Sequence, residues 1–487
     1  MARRLPYRLY FMSLCGLYLL MVFFFHGRLQ LDIAKTQFSK NRRLASHRLV
    51  SSEPKTSRPL NQEQGGVRQL RHIKRVVNEK RANLTREESY INFGSSSSSC
   101  LLNSNSKKFS YIPLKSKVFY VYSAYLDKRS GEPIVRVIAL LVRGKKSKVD
   151  VKCMFRVGAK KLVMNATIYE MCENHNRRFG GYILSCSLPE IIKQPCQVSV
   201  TYVDNELGEK YEKLTRKHIT LNIMKIEPES APFKFGVCIP PLFGDVKRES
   251  IVEFIELTKL LGSQHFVFYD FNITSNGTKE VLDYYAKEQT VTVIPWKLPS
   301  HIDERDIWYH GQLLAHNDCL YRSMSLTNVV AINDIDEFII PHDNNPTWNL
   351  SLMPIMANNV VGLSFNSAFY DPHAGKNHPS GLITIGNTGR SKLFSRIRTK
   401  VMLKPDKVFE VGIHHVSKPA KESYMIKKVD SSVAYIHHYR KCVSNYGMRC
   451  TEFQQDDSLY KYYEKLKLNF DYVMAKFSHS DFELESK

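Results

Sequence analysis

The pattern of hydrophobic and polar residues divides the chain into segments of different character. Residues 9–25 form an uncharged apolar run of seventeen residues, which is at the short end of what spans a bilayer. Residues 26–108 are polar and basic and end in a run of glycine and serine, a composition typical of a flexible stem. Residues 109–230 carry short apolar runs between turns rich in Gly, Asn and Lys. These runs predict an antiparallel β-sandwich domain.

From residue 231 to residue 455, strands and helices alternate. In the first predicted helix, Ser250 is a candidate N-cap because Glu253 follows at the spacing of a capping box. The alternation predicts an α/β domain with a largely parallel sheet that helices cover on both faces. Residues 456–487 are predicted to form a C-terminal tail or helix. The predicted strands include Phe235–Ile239, His265–Tyr269, Val291–Pro295 and Val329–Ile332, and the predicted helices are Ser250–Leu261, Lys279–Tyr285 and Ile307–Ser323.

The strand predicted at Val329–Ile332 is followed by three acids, Asp334, Asp336 and Glu337. Carboxylates resist burial unless a cation or hydrogen bonds compensate them, and in such sheets ligands bind beyond the carboxyl ends of the strands. We therefore expect Asp334 and Asp336 to bind a hard divalent cation, which would neutralise a phosphate. The alternative is that the acids cap a helix or solvate a turn. Glu337 is predicted either to take part in catalysis or only to orient its neighbours.

Two further groups of side chains are candidates for the same site. On the third predicted helix, Gln312, His316 and Asp318 either face a ligand or form a solvated surface. His414 and His415, at the end of a later predicted strand, are candidates for further metal ligands.

A basic stretch lies between these two groups. Arg396, Arg398 and Lys400 alternate along a predicted strand, and they either clamp a diphosphate or protect an exposed sheet edge. The residues predicted to bind the nucleotide are Asp318, Arg396, Lys400, Lys404 and His438.

The N-terminus predicts a type II signal anchor. Arg3, Arg4 and Arg8 precede the apolar run, which places residues 1–8 in the cytosol and the remainder of the chain in a lumen. No small-x-small cleavage site follows the run, and its shortness suits the thinner membranes of the early secretory pathway, so we expect a single-pass protein of the endoplasmic reticulum or Golgi. The net charge of +23 suggests a nucleic-acid partner, but luminal topology excludes one. The excess charge then either favours anionic ligands such as nucleotide diphosphates or is ordinary solvated surface charge.

Cysteines and glycosylation sequons agree with an oxidising lumen. Apart from Cys15 in the apolar run, nine cysteines remain, and an odd number implies a free or intermolecular thiol and allows a homodimer. We predict a Cys442–Cys450 disulfide and bridges among Cys153, Cys172, Cys186 and Cys196. The chain has no Gly-x-Ser-x-Gly or Walker motif. The predicted glycosylation sites are Asn83, Asn165, Asn272, Asn276 and Asn349.

Residues from about 232 to 450 resemble glycosyltransferase family 92. The resemblance rests on Val237–Gly244, Asn317–Arg322, Asp334–Phe338, Lys404-Pro405 with the following histidine pair, and His438–Arg440. It implies a GT-A-type (Rossmann-like) catalytic domain in a type II Golgi enzyme. The β-rich segment also resembles the β-sandwich that precedes this domain in family members.

The resemblance implies an inverting galactosyltransferase that uses UDP-galactose and Mn²⁺ and forms β1,4 linkages. Asp334 and Asp336 match the family's Asp-x-Asp, which would hold the metal and the donor diphosphate. The expected acceptor is a terminal galactose or a fucose on glycoprotein N-glycans. The alternatives are a transferase of another UDP-sugar and a non-catalytic luminal glycan-binding protein.

Inversion also requires a general base on the acceptor hydroxyl. Asp371 is the predicted base, and Glu410 and Asp457 are the alternatives. Four aromatic side chains either stack on sugars or pack in the core: Trp308, Tyr309, Phe369 and Tyr370.

Overall fold

The computed structural model describes residues 110–111, 119–144, 149–204, 218–371, 378–443 and 446–477. These residues all lie in the compact unit Ser99–Lys487. The predicted anchor, the predicted stem, the sequon at Asn83 and residues 478–487 fall outside the described part. Within the described part, no helix has both the length and the apolar character needed to cross a membrane.

Eight strands form the β-rich region. They pair in the order β1-β2-β3-β6-β5-β4-β7-β8, and a parallel pairing of β2 with β8 closes the sheet on itself. The sequence predicted only antiparallel pairing, and the structure differs in the parallel β2–β8 pairing, because hydrophobic patterning does not specify strand partners or direction. β5 pairs with β4 through its first half and with β6 through its second half, and both pairings are antiparallel. The strands are β1 (Ser110–Tyr111), β2 (Phe119–Asp127), β3 (Ile134–Val142), β4 (Val149–Val157), β5 (Lys160–Glu170), β6 (Phe179–Ser187), β7 (Gln197–Asp204) and β8 (Ile219–Lys225).

Strands β2 and β3 are apolar on both faces because each face packs on a different core. Phe119 and Val137 contribute to the core inside the β-rich region. Tyr120 and Ile138, one residue further along each strand, instead join a core shared with the α/β region. Successive side chains of a strand point to opposite faces, so the continuous apolar runs of these strands reflect burial from both sides. The two regions therefore share a hydrophobic interface.

The α/β region begins with a parallel half-sheet. β9 (Phe233–Gly244) pairs in parallel with β10 (His265–Ile273) and with β12 (Thr327–Ile332), and β10 pairs in parallel with β11 (Val291–Pro295). The helices between these strands are α1 (Arg248–Leu261), α2 (Asn276–Lys287) and α3 (Gln312–Ser323).

The second half of this sheet is mixed, whereas the sequence predicted a largely parallel one. The full order is β11-β10-β9-β12-β16-β14-β20-β13, and β16 runs antiparallel to both β12 and β14. Hydrophobic patterning locates strands but does not select their partners or direction, and this explains the difference. The elements are β13 (Glu337–Pro341), α4 (Trp348–Ser351), β14 (Val360–Phe369), α5 (Ile383–Gly386), β15 (Gly389–Ser391), β16 (Ser395–Leu403), β17 (Val408–Val411), β18 (Val416–Pro419), β19 (Met425–Lys428), β20 (Ala434–His438), β21 (Phe453–Gln455) and α6 (Tyr463–Met474).

Three disulfides join described residues. The predicted Cys442–Cys450 bridge is present, and Cys153 pairs with Cys186 from the predicted set. Cys238 on β9 pairs with Cys319 on α3, a bridge that the sequence did not indicate. Cys172 is free and exposed, so its inclusion among the bridged cysteines was wrong. The four described sequon asparagines are all exposed, and their glycosylation stays a prediction: Asn165, Asn272, Asn276 and Asn349.

Candidate active site

Three strands meet around the acids that follow β12. Asp334 and Asp336 lie between β12 and β13, Glu337 begins β13, Lys400 comes from β16, and His438 ends β20. The Nζ atom of the fully buried Lys400 lies 2.9 Å from Asp334 Oδ2 and 3.2 Å from Glu337 Oε2. His438 Nε2 lies 3.5 Å from Asp336 Oδ2, and His438 Nδ1 lies 3.3 Å from Glu337 Oε1. The fold thus gathers five of the residues that the sequence singled out.

Lys400 sets the charge state of this acidic cluster (Asp334, Asp336 and Glu337). Burial alone would raise the pKa of Asp334, but the Lys400 ammonium outweighs burial and holds that pKa below its ordinary value. Burial raises the pKa of Glu337, and Lys400 offsets only part of that effect. Burial would lower the pKa of His438, but the carboxylates of Glu337 and Asp336 outweigh it and raise the pKa.

Two carboxylates of the cluster keep coordination capacity that the protein does not use. Asp334 Oδ1 is buried and makes no hydrogen bond with a described residue. Asp336 is 38% exposed. Carboxylate oxygens are the ligands that hard divalent cations prefer. The free oxygen of Asp334 and the accessible carboxylate of Asp336 therefore fit a cation such as Mn²⁺ or Mg²⁺.

His316 and Asp318, two residues apart on helix α3, lie on different sides of the helix. His316 is buried, and burial together with the positive charge of Lys400 lowers its pKa to about 3, so it lies on the side of the acidic cluster. Asp318, two residues later, points toward the β-rich region and accepts hydrogen bonds from Ser123 and Tyr125. Residues two apart on a helix do not share a face. The prediction that Asp318 binds the nucleotide was therefore wrong, because this carboxylate is fully buried and occupied.

The two ends of β16 separate the basic residues that the sequence grouped together. β16 runs antiparallel to β12, so its first residues lie at the acid edge of the sheet and its last residues lie at the opposite edge. Arg396 is exposed at the acid edge. Lys404 follows the far end, where its Nζ donates to the Met356 carbonyl. Lys404 therefore lies at the edge of the sheet opposite the acidic cluster, and the prediction that it binds the nucleotide was wrong.

His414 and His415 diverge although they are adjacent. His414 packs beside the cluster, with Nδ1 2.9 Å from the Thr399 carbonyl. Burial and then Lys400 lower the pKa of His414 to about 4. His415 turns away, and its Nδ1 lies 3.7 Å from Glu173 Oε1 in the segment that follows β5. The prediction that both histidines bind the same cation as Asp334 and Asp336 was wrong for His415.

The three candidate bases occupy different environments. Glu410 is fully buried and accepts hydrogen bonds from Tyr169 OH and the Cys172 backbone, so it is not free to contact an acceptor. Asp457 is exposed ahead of the 3-10 helix Ser458–Tyr462. Asp371 follows the end of β14, which runs beside His438, and its role as the base stays a prediction.

An aromatic surface borders the site, and the sequence indicated Tyr309 as a residue that could stack on a sugar but did not indicate Phe243 or His310. Tyr309 and His310 both have positive φ angles, 42° and 54°, ahead of Gly311 at 80°, so the predicted helix begins only at Gln312. The Phe243 ring packs 4.2 Å from His310 and 5.4 Å from the half-exposed Tyr309. Asp334 and Asp336 contribute to a raised pKa of Tyr309, although burial is the larger cause. Gly311 is the sequence feature that could have indicated this turn, because glycine readily adopts a positive φ. Phe369 and Tyr370, by contrast, are core residues.

A family model for glycosyltransferase family 92 matches residues 233–475. A similar protein is the beta-1,4-galactosyltransferase galt-1 of Caenorhabditis elegans, which is 29% identical over 73% of this chain and 80% of its own length. Another is the galactan beta-1,4-galactosyltransferase GALS1 of Arabidopsis thaliana, at 23% identity over 58% of each chain. A solved glucosyl-3-phosphoglycerate synthase from Mycobacterium tuberculosis, at 12% identity, covers 46% of this chain and 76% of its own with a TM-score of 0.25, which is too low to carry an argument.

The family match and the α/β fold with acids at its sheet edge define a glycosyltransferase. The chain belongs to glycosyltransferase family 92, through the α/β region that carries the acidic cluster.

Proposed function

We propose that this glycosyltransferase transfers galactose from UDP-galactose, in β1,4 linkage, to a terminal galactose or a fucose of glycoprotein N-glycans. The observation that carries the proposal is the match to a named beta-1,4-galactosyltransferase across 80% of that relative's length. The acidic cluster supports it, because a nucleotide-sugar donor presents a diphosphate that needs cationic neutralisation.

Asp334 and Asp336 would hold a divalent cation, which in this site would neutralise the negative charge of the departing diphosphate. Lys400 keeps Asp334 ionised and in place. Glu337 accepts a hydrogen bond from the Asp334 backbone and contacts both Lys400 and His438, so it orients the cluster from within. The half-exposed Tyr309 and Phe243 offer apolar ring faces at the same edge for a sugar or base.

We also propose that the chain is a single-pass type II Golgi membrane protein with its catalytic domain in the lumen. The N-terminal charge asymmetry and the exposure of all four described sequons support this placement.

The test is a donor and acceptor screen with the full-length protein in detergent. UDP-galactose, UDP-glucose and UDP-N-acetylgalactosamine are each offered with N-glycans that end in galactose or fucose, with Mn²⁺ or with a chelator. We expect a galactosylated product only with UDP-galactose and Mn²⁺, and mass spectrometry with linkage analysis identifies it. Transfer of another sugar would refute the donor, and glycan binding without any transfer would favour a non-catalytic role.

Asp336→Asn tests the site within the same screen. Because this change removes the accessible carboxylate charge, we expect turnover to fall by at least about 100-fold while the thermal unfolding temperature stays close to that of the wild type. Asp283→Asn, on the exposed face of α2, is the matched control and should leave turnover unchanged. Unaltered turnover and Mn²⁺ dependence in Asp336→Asn would remove the acidic cluster from the mechanism.

A further inference from the structure

A group of metal-ligating side chains lies away from the acidic cluster, where the β-rich region meets the loop between β17 and β18. Cys172, Glu173 and His415, here called the Cys172 cluster, each offer a ligand atom, and these atoms lie within 4.8 Å of one another. Cys172 Sγ is 3.8 Å from His415 Nε2. Cys172 and His415 are exposed, so a metal ion can reach the cluster from solvent.

The loop at Gly412 is shaped closely around this cluster. Gly412 has an ordinary φ, so its glycine is not required by backbone conformation. A Cβ atom at this position would collide with the Glu173 carboxylate and would lie 3.0 Å from the His415 ring. The Ile413 backbone N–H donates to the same carboxylate. The backbone thus holds Glu173 and His415 in position, which prepares the site before any ion binds.

The ligand chemistry selects one class of metal. Thiolate, imidazole and carboxylate together are a ligand set of zinc, whereas manganese and magnesium prefer oxygen ligands. Zn–S and Zn–N bonds of about 2.3 and 2.0–2.1 Å at a tetrahedral angle place sulfur and nitrogen about 3.6 Å apart, close to the observed 3.8 Å. Cys172 is also the free thiol among the described cysteines, while the disulfides occupy other positions.

We propose that Cys172, Glu173 and His415 form a zinc site, separate from the acidic cluster, that joins the β-rich region to the loop between β17 and β18. Zn²⁺ binds the Cys172 sulfur as the thiolate, and the thiol proton leaves to solvent. Water or Ser417 Oγ, which lies 3.0 Å from Cys172 Sγ, completes the coordination. The neighbouring His414 packs beside Lys400 and Asp334, so zinc here steadies the loop that borders the catalytic edge.

A second histidine cluster in the described part does not compete with this assignment. His342, His437 and Asp456 also lie within reach of a common ion. However, Asp456 Oδ2 already contacts Tyr370 and Tyr435 hydroxyls and the Arg390 guanidinium. A dication at this position would face a neighbouring positive charge and a carboxylate that already accepts several hydrogen bonds.

The experiment measures zinc bound to the full-length protein. The protein is stripped with a chelator and dialysed against Zn²⁺ in the presence of excess Mn²⁺, and its zinc content is read by plasma mass spectrometry. We expect one tightly bound zinc per chain, with binding weakened by at least about 10-fold in Cys172→Ala and in His415→Gln. His218→Gln, at an exposed position before β8, is the matched control and should keep its zinc.

Two further readouts separate this site from the proposed activity and from a dimer. Asp336→Asn should retain the zinc even though it loses transfer. A maleimide probe should label Cys172 in the stripped protein, and Zn²⁺ but not Mn²⁺ should block the labelling. Equal zinc content in Cys172→Ala and the wild type would overturn the proposal. The proposal would also be overturned if Zn²⁺ did not reduce the labelling of Cys172, or if Cys172 were found in an intermolecular disulfide.

Discussion

Lys400 is the residue on which the acidic cluster depends most directly. Its ammonium is fully buried and contacts Asp334 and Glu337, and no other cationic side chain of the described residues lies in salt-bridge distance of Asp334. Two carboxylates that share one buried cation repel each other when that cation is removed. The internal lysine therefore lets the chain fold with its acids assembled before any metal arrives.

We expect Lys400→Met to lower the free energy of unfolding by about 3–5 kcal/mol, because it leaves the buried Glu337 and the partly exposed Asp334 without the cation that they share. Urea unfolding of the purified protein measures this change. Lys407→Met, which removes only a partly exposed pair with Asp406, should change stability by less than about 1 kcal/mol. Similar losses in the two variants would show that the buried pair has no special weight.

At the scale of elements, α3 is fixed by three consecutive residues that reach three different neighbours. Asn317 bonds the Val411 backbone of β17 through both its amide nitrogen and its oxygen. Asp318 reaches the β-rich region, and Cys319 is bridged to Cys238 on β9. His316, the preceding residue, lies on the side of the acidic cluster. The helix therefore couples the β-rich region to the site.

Asp318→Asn should lower the free energy of unfolding by about 3–5 kcal/mol, because the buried pair with Arg322 loses its negative partner. The change also disturbs the hydrogen bonds that Asp318 accepts from hydroxyl groups of both regions. We therefore expect the denaturation transition, which should be single in the wild type, to broaden or split. Asp306→Asn, at a more exposed pair with Arg178, is the control and should behave as the wild type. An unshifted, single transition in Asp318→Asn would contradict the coupling role.

Helix α3 also shows what the sequence could and could not predict. The apolar periodicity located the helix and its end at Ser323, but not its start, because the left-handed conformations of Tyr309 and His310 follow from local packing. Similarly, Ser250 is not the cap of α1: the helix begins at Arg248, and Glu253 instead accepts hydrogen bonds from Thr384 at α5.

The acidic cluster was predictable because an abrupt change from apolar strand to acids is a local signal. The partners of the predicted residues were not, because they depend on pairings that are distant in sequence. Asp318 and Lys404 were assigned to the nucleotide from their residue type, yet the direction of a helix face and the polarity of β16 place them elsewhere.

Over the whole molecule, buried histidines make stability depend on pH. Burial lowers the pKa of His342 to about 4, of His414 to about 4 and of His316 to about 3. Below pH 6.5 these imidazoles therefore bind protons in the unfolded chain that they do not bind in the folded chain. The raised pKa of His438 acts in the opposite direction, but burial also lowers the pKa of four further histidines among the described residues: His175, His265, His310 and His437.

Stability should accordingly be greatest above pH 6.5 and should fall as the pH drops toward 4. Each of the three histidines contributes at most about 1.4 kcal/mol per pH unit within that interval. Urea unfolding at pH 7, 6 and 5 measures the slope, and His342→Gln should make it shallower. A stability that stays level or rises on acidification would show that these imidazoles remain accessible to protons in the folded protein.

The pairing of β13 with β20 has a consequence for how the protein is made. Asp334 leaves the ribosome 66 residues ahead of Lys400, and Glu337 precedes its strand partner His438 by still more of the chain. During synthesis the acids are therefore solvated, and β13 offers an unpaired edge of the kind that chaperones recognise. Only a chain translated through β20 can withdraw both from solvent. Assembly of the acidic cluster therefore requires the chain as far as His438.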